Sequence, residues 1–192
     1  MSRIKLAAAA TAALLVTASM AQAAPFEFRG FYAGVHVGYM DVEADSDGSG
    51  GSISGDGLMG GFQAGYNFVT GNFMWGIETD ISLTDASPGG AIDVGPTATL
   101  RPRIGYAVDD WLLYVTGGIA SAQFEDFDAF DGEFGWTLGA GVERMVGDIV
   151  GVKLEYRYMR FEDVEQGIVS PLGGSGIDFD MHTVMGGVNF HF

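Results

Sequence analysis

The chain has 192 residues, which is enough for one domain with a substantial core. It contains no Cys, so disulfides, thiolate nucleophiles and thiolate metal sites are excluded. The formal net charge is −16 with only nine Lys and Arg, which argues against nucleic acid as a partner because phosphate binding depends on those cations. The 31 Gly and 14 Phe, with 18% charged residues, are unusual for a soluble enzyme.

The first residues predict a signal peptide. Arg3 and Lys5 form a positive n-region, residues 6–16 form an apolar h-region, and Ala21-Gln22-Ala23 has the small-x-small pattern of a signal-peptidase site. A membrane anchor is the alternative, but the apolar run is short and the cleavage pattern follows it directly. We therefore expect an exported protein in which residues 1–23 are removed and residues 24–192 form one domain. Loss of the two cations changes the net charge from −16 to −18.

The rest of the chain predicts strands. It has no run of about 18 apolar residues, the length that a membrane-spanning helix needs. Apolar and polar residues instead alternate with period two, which is the pattern of a strand with two different faces. The pattern is clear in five segments and weaker in three that are rich in Gly and aromatic residues. In chain order the eight predicted strands are 30–43, 58–69, 75–83, 97–106, 111–124, 134–143, 150–159 and 183–192.

Short and long connections alternate between these strands. Three are tight turns, at Thr70-Gly71-Asn72, Asp109-Asp110 and Gly147-Asp148, and four are long, near 44–57, 84–92, 125–133 and 162–178. This number and order fit an all-β, eight-stranded antiparallel up-and-down barrel that crosses the outer membrane, with short periplasmic turns and four external loops. A soluble sandwich is the alternative. Aromatic residues at both ends of the strands favour the barrel, because such rings prefer the headgroup layers.

Pro102 interrupts the fourth predicted strand. Proline cannot donate a hydrogen bond to the ladder, and a closed barrel has no edge strand on which to place it. We expect a bulge or another local distortion there.

The alternation places eight ionisable side chains on the inward face of the strands. An eight-stranded barrel is just wide enough to be filled by side chains, and buried charges must be paired. Four acids and four bases would fill the lumen as a structural ion-pair network without net charge; a gate whose pairs exchange partners is the alternative. The eight residues are Glu78, Asp80, Arg101, Arg103, Glu143, Lys153, Glu155 and Arg157.

No catalytic group is predicted. The inward carboxylates have no nucleophile constellation beside them, and His36, His182 and His191 are scattered along the chain. We therefore expect neither enzyme activity nor a cofactor or metal site. The acidic external loops are interpreted as solvated surface, with divalent-cation bridging to lipopolysaccharide as the alternative.

The C-terminal strand carries a possible assembly signal. Its alternating apolar residues finish on Phe190 and Phe192. This pattern resembles the signal by which the barrel-assembly machinery recognises outer-membrane barrels. The alternative is an ordinary strand that happens to end in Phe.

Several segments resemble a known family. Phe31-Tyr32-Ala33-Gly34-Val35-His36-Val37-Gly38-Tyr39, the segments 61–67, 100–106 and 135–143, and the terminal Val188-Asn189-Phe190-His191-Phe192 resemble the porin-like outer-membrane β-barrel family of Gram-negative bacteria. The alphaproteobacterial surface-antigen porins and the opacity proteins are of this type.

The resemblance implies an outer-membrane barrel without enzyme activity, in contact with outer-membrane lipid, lipopolysaccharide and the assembly machinery. It leaves three functions open. A structural barrel with a charge-plugged lumen, contributing to envelope integrity and surface character, is the leading hypothesis. The alternatives are a low-conductance porin and an adhesin that binds host or surface ligands through its external loops.

Overall fold

The protein is an eight-stranded closed barrel. The computed structural model describes residues 25–46, 52–84, 93–125, 133–164 and 177–192. Each strand is antiparallel to its neighbours, and the last strand pairs with the first, as predicted. A short 3₁₀ turn, Pro25–Phe28, precedes strands β1 Gly30–Ser46, β2 Ser52–Thr70, β3 Phe73–Thr84, β4 Asp93–Val108, β5 Trp111–Glu125, β6 Glu133–Met145, β7 Val150–Val164 and β8 Ile177–His191. Within these ranges no helix is long and apolar enough to span a membrane.

The strands are apolar outside and largely polar inside. In β3, every second residue from Met74 to Ser82 is buried in the interior, while Trp75, Ile77 and Ile81 are exposed on the outer wall. Large apolar side chains cover the outside of all the other strands as well, and Phe62 is 72% exposed. This distribution is the reverse of a soluble protein and is typical of a barrel whose wall faces lipid.

The three short connections lie at one end of the barrel, which we call the turn end. Gly71, Asp109 and Gly147 have positive φ values of 59°, 54° and 83°, as tight turns of this kind require. The two termini of the barrel also meet here, because the backbone N–H of Phe192 donates to the carbonyl of Phe31 at 2.8 Å. We call the opposite end the loop end.

The strands extend further towards the loop end than the sequence predicted. The long connection expected at 44–57 is shorter, because β1 and β2 remain paired as far as Asp45 and Ser52. The Gly and Ser residues there suggested a loop, but a hairpin whose register is already fixed can extend its backbone ladder through residues of low strand propensity. Strand β8 likewise begins at Ile177 rather than 183, and β7 continues to Val164. The connecting segments 47–51, 85–92, 126–132 and 165–176 lie outside the described residues.

The bulge expected at Pro102 is not found there. Pro102 keeps its register opposite Ile77 of β3, and the register of β4 with β5 is the same before and after it. Only the direct pairing of Arg101 and Pro102 with β5 is lost, because proline lacks the N–H. The Pro102 carbonyl accepts a hydrogen bond from the Thr116 hydroxyl at 3.0 Å. The register shift of β4 lies between Val94 and Thr97.

Candidate functional site: the barrel lumen

The lumen contains all eight ionisable residues that the alternation placed on the inward face. Each is at most 2% exposed, and each forms at least one ion pair with another of the eight. Neighbouring strands supply opposite charges at the same height, as with Glu78 of β3 directly opposite Arg101 of β4. We refer to these eight side chains as the charged layer: Glu78, Asp80, Arg101, Arg103, Glu143, Lys153, Glu155 and Arg157.

Arg101 joins carboxylates from two sides of the barrel. Its guanidinium lies 2.5 Å from Glu78 Oε1 and 2.9 Å from Asp80 Oδ1 on the adjacent β3. It also lies 2.7 Å from Glu155 Oε1 of β7, on the far side of the lumen. Arg101 therefore fills the middle of the cross-section with a single side chain.

The carboxylates are shared between cations. Arg157 lies 2.8 Å from Asp80 and 3.0 Å from Glu155, both of which also contact Arg101. The Lys153 ammonium lies 3.4 Å from Glu78 and 3.6 Å from Glu155. The four acids and four bases thus form one connected network with no formal net charge.

Two tyrosines support the network. Tyr32 donates to Glu78 and Tyr114 donates to Glu155, each at 2.7 Å. The guanidinium carbon of Arg103 lies between the rings, 5.2 Å from the Tyr32 centroid and 4.1 Å from the Tyr114 centroid. These distances allow cation–π attraction. The same guanidinium lies 3.2 Å from both Glu78 and Glu143.

Each tyrosine lies over a glycine of the neighbouring strand. A Cβ atom on Gly65 would lie 2.4 Å from the Tyr32 hydroxyl oxygen, and one on Gly141 would lie 2.5 Å from that of Tyr114. Only a residue without a side chain leaves room for these rings.

Amide and imidazole side chains complete the network on the β1–β8 side. The Asn189 amide donates to Glu143 at 2.8 Å, and His191 Nε2 lies 2.9 Å from the same carboxylate. Gln63 donates to Asn189 at 2.7 Å and also contacts His36 Nδ1 at 2.5 Å.

Most of these supporting groups were not predicted from the sequence. The histidines are scattered along the chain, but His36 and His191 both lie in the lumen, whereas His182 lies on the outer wall beside the Tyr156 hydroxyl at 2.7 Å. The sequence pattern was sufficient to predict them, because the same alternation places Tyr32, His36 and Tyr114 on inward positions.

Apolar layers lie above and below the charges. The turn-end layer contains Phe28 of the 3₁₀ turn, which enters the mouth of the barrel and is held by a 2.9 Å hydrogen bond from the Asn67 amide to its carbonyl. The rest of that layer is Met74, Ala107, Leu112, Tyr114 and Met145. The loop-end layer consists of Met40, Val42, Met59, Ala120, Ala122, Met159, Phe161, Phe179, Met181 and Met185. Within the described residues, no group of His, Cys, Asp or Glu has an arrangement that could hold a metal ion.

The family model of the outer membrane protein beta-barrel domain matches residues 9–192. The chain belongs to this family of outer-membrane barrels. The chain is 32% identical over 155 residues to the 25 kDa outer-membrane immunogenic protein of Brucella canis, covering 77% of this chain and 72% of the relative. It is 32% identical over 179 residues to the 22 kDa outer membrane protein of Rhizobium leguminosarum bv. viciae, covering 90% and 83%. The predicted family and outer-membrane location are confirmed.

Solved structures support the barrel architecture. Neisserial surface protein A superimposes with a TM-score of 0.54 at 18% identity, covering 85% of this chain and 97% of that one. The outer membrane protein OprG of Pseudomonas aeruginosa gives a TM-score of 0.52 at 16% identity, with coverage of 85% and 97%. At these identities the similarity shows the fold alone.

In an outer-membrane barrel the short turns face the periplasm, so the loop end faces outward. Among the described residues, that outer side is strongly negative. Of the Lys and Arg after residue 23, four lie in the charged layer, Arg29 and Arg144 lie at the turn end, and only Arg160 lies towards the loop end. Eleven acids of the described residues lie in the strand ends on the same side, which with Arg160 gives a formal charge of −10 there: Asp41, Glu43, Asp45, Asp56, Asp93, Glu125, Glu133, Glu162, Asp163, Asp178 and Asp180.

Proposed function

We propose that this outer-membrane barrel is a closed, structural element of the envelope, with a lumen plugged by the charged layer. The observation that supports the proposal is the stacking of three buried layers, in which a neutral ion-pair network lies between two apolar layers. A conducting pore needs a continuous hydrated path, and apolar constrictions oppose such a path because they dewet. The proposal assigns the protein no catalytic role.

The structural role follows from the outer wall, the buried network and the acidic outer end. The outer wall offers lipid a continuous apolar face, and the buried network fixes which strands lie opposite one another because each charge needs its own partners. The acidic outer end gives the cell surface a negative character.

Solute flux tests the proposal. The protein is refolded into liposomes loaded with a small sugar or with potassium, and folding is checked by the faster migration of an unheated barrel on a gel. We expect leakage equal to that of protein-free liposomes. Leakage that scales with the amount of folded protein would contradict the proposal.

A low-conductance porin is the second candidate, and the shared carboxylates favour it. Because Asp80 and Glu155 each contact both Arg101 and Arg157, one guanidinium could move away without leaving a carboxylate unpaired. Potassium leakage without sugar leakage, changed by Arg157→Gln, would support this candidate. An adhesin would act through the long loops, whose connecting segments lie outside the described residues.

We also propose that Phe190 and Phe192 form the signal for the assembly machinery. Both side chains point outward, and Phe192 is 82% exposed, so they are accessible on the wall. Phe192→Ala should reduce the amount of barrel in the outer membrane of cells but not the yield of refolding in detergent. Phe134→Ala, which removes an exposed ring near the other end, is the matched control. Equal losses from both variants would overturn this assignment.

Lipopolysaccharide is the proposed lipid neighbour, with divalent cations bridging its phosphates to the acidic outer end. Carboxylate oxygens are suitable ligands for Ca²⁺ and Mg²⁺. Chelation with EDTA should reduce the lipopolysaccharide that copurifies with the protein, and unchanged copurification would contradict the bridging.

A further inference from the structure

Methionine is confined to the inside of the barrel. The chain has seven Met after residue 23, and each is at most 4% exposed. The outer wall uses Leu, Ile, Val and aromatic residues instead. Hydrophobicity does not account for this difference, because lipid would accept a thioether side chain as readily as the lumen does. The seven residues are Met40, Met59, Met74, Met145, Met159, Met181 and Met185.

Five of the seven meet in the loop-end layer, and the strand register brings three together. Met159 of β7 is the direct cross-strand partner of Met181 of β8. Met40 of β1 is the partner of Thr183, two residues from Met181 on the same face. Direct partners on one face have Cβ atoms about 4.5–5.5 Å apart, and diagonal neighbours are still within reach of long side chains. Met40, Met159 and Met181 are therefore placed so that their sulfur atoms can converge.

A buried polar atom without a partner lies beside these three side chains. Thr183 is fully buried between Met181 and Met185, and its hydroxyl has no hydrogen-bond partner among the described residues. A buried polar group without a partner is rare in native proteins and calls for an explanation. Met185 is already engaged, because Arg157 Nη2 donates to its sulfur at 3.5 Å.

The chemistry of the donors limits what could bind. A thioether is a neutral, soft and polarisable ligand that selects Cu(I) and similar ions rather than the hard cations that carboxylates bind. Methionine has three rotatable bonds, so its sulfur can adjust to an ion without movement of the strand. The acidic outer end raises the local concentration of cations next to this layer.

We propose that Met40, Met159 and Met181 form a binding site for one soft monovalent cation, Cu(I) or Ag(I), at the outer end of the lumen. The site lies directly above the charged layer, where Arg101 and Arg157 fill the cross-section. An ion bound at this site would therefore not pass through the lumen. The inference goes beyond the proposed structural function, and does not depend on it.

The test is binding of Ag⁺, supplied as silver nitrate in chloride-free buffer, to the refolded barrel in detergent, measured by titration calorimetry. Cu⁺ is measured in parallel by competition with a coloured Cu(I) chelator. We expect one equivalent of either ion to bind and to shift the NMR signals of the methionine methyl groups in the loop-end layer.

The variants are two matched pairs of Met→Leu substitutions, which nearly conserve volume and are tolerated in packed interiors. Met159→Leu with Met181→Leu should weaken Ag⁺ binding by more than about tenfold, since losing even a residue that only supports a ligand typically costs that much. Met74→Leu with Met145→Leu, in the turn-end layer, should leave the affinity unchanged. Gel mobility confirms that both double variants are folded.

Absence of stoichiometric binding by the wild type would overturn the site, as would equal loss of affinity in both double variants. Neither result would contradict the proposed closed lumen, because liposome flux is measured without Ag⁺ or Cu⁺.

Discussion

The outer and inner faces of the same strands differ in how specific their side chains must be. On the outer face, neighbouring side chains such as Ile77 and Ile81 contribute only apolar surface, and many apolar residues would serve equally well. On the inner face of the same strand, Glu78 and Asp80 each contact particular cations on other strands. Lipid therefore requires little specificity from the wall, whereas the lumen requires that every buried charge be paired. Substitutions on the inner face should therefore cost more stability than comparable substitutions on the outer face.

Removal of Arg101 should have the largest effect. Arg101→Met leaves Glu78, Asp80 and Glu155 without their shared cation, and loss of one partner of a buried ion pair typically costs about 3–5 kcal/mol. The free energy of unfolding is measured in urea by tryptophan fluorescence of the barrel in lipid vesicles. Leu100→Met, on the outward face of the same strand, is the control and should cost less than about 1.5 kcal/mol. Equal costs for the two variants would contradict the asymmetry.

The alternation of the sequence was sufficient to place the eight ionisable residues in the lumen, because successive side chains of a strand point to opposite faces. It could not decide which charge contacts which. The contact of Arg101 with Glu155 joins β4 to β7 across the lumen, and it depends on closure of the barrel rather than on spacing along the chain. The apolar layers were missed for a similar reason. Phe28 precedes the first strand and reaches the lumen only because the chain turns at Gly30, where φ is 108°.

Filling the space under a tyrosine should have an intermediate effect. A Cβ at position 65 would lie 2.4 Å from the Tyr32 hydroxyl oxygen and 2.6 Å from the Ile77 carbonyl oxygen, so Gly65→Ala must displace the ring that donates to Glu78. Overpacking of this kind typically costs about 1–3 kcal/mol. Urea unfolding measures the loss.

Gly186→Ala is the control for this substitution. The nearest atom to its new Cβ, the Lys153 carbonyl oxygen, would be 3.9 Å away, so a smaller cost is expected. If Gly65→Ala were no more costly than Gly186→Ala, the packing of Tyr32 against Gly65 would not contribute to stability.

The exposed ion pair at the turn end should have the smallest effect. Arg144 Nε lies 2.7 Å from Asp110 Oδ2, and this hydrogen bond lowers the pKa of the Asp110 carboxyl below its ordinary value of 3.8. The side chains of Arg144 and Asp110 are 53% and 37% exposed, so solvent screens the pair and Asp110→Asn should cost no more than about 1 kcal/mol.

The pH dependence of this pair has a definite sign. Because the pKa is lower in the folded protein, the stabilisation is present above the unfolded value and is lost as the pH falls through the folded value. The difference in urea midpoint between wild type and Asp110→Asn should therefore disappear in acid. A difference that persists below the folded pKa would contradict the ion-pair origin of the effect.

The most direct test of the closed lumen is the single-channel current of the refolded barrel in a planar lipid bilayer, with a water-filled porin as the positive control and gel mobility as the check of folding. The three buried layers predict a silent bilayer at protein amounts for which the control porin inserts readily. Discrete current steps from the folded wild-type protein, altered by Glu143→Gln or Arg157→Gln, would contradict the closed lumen and favour a gated porin.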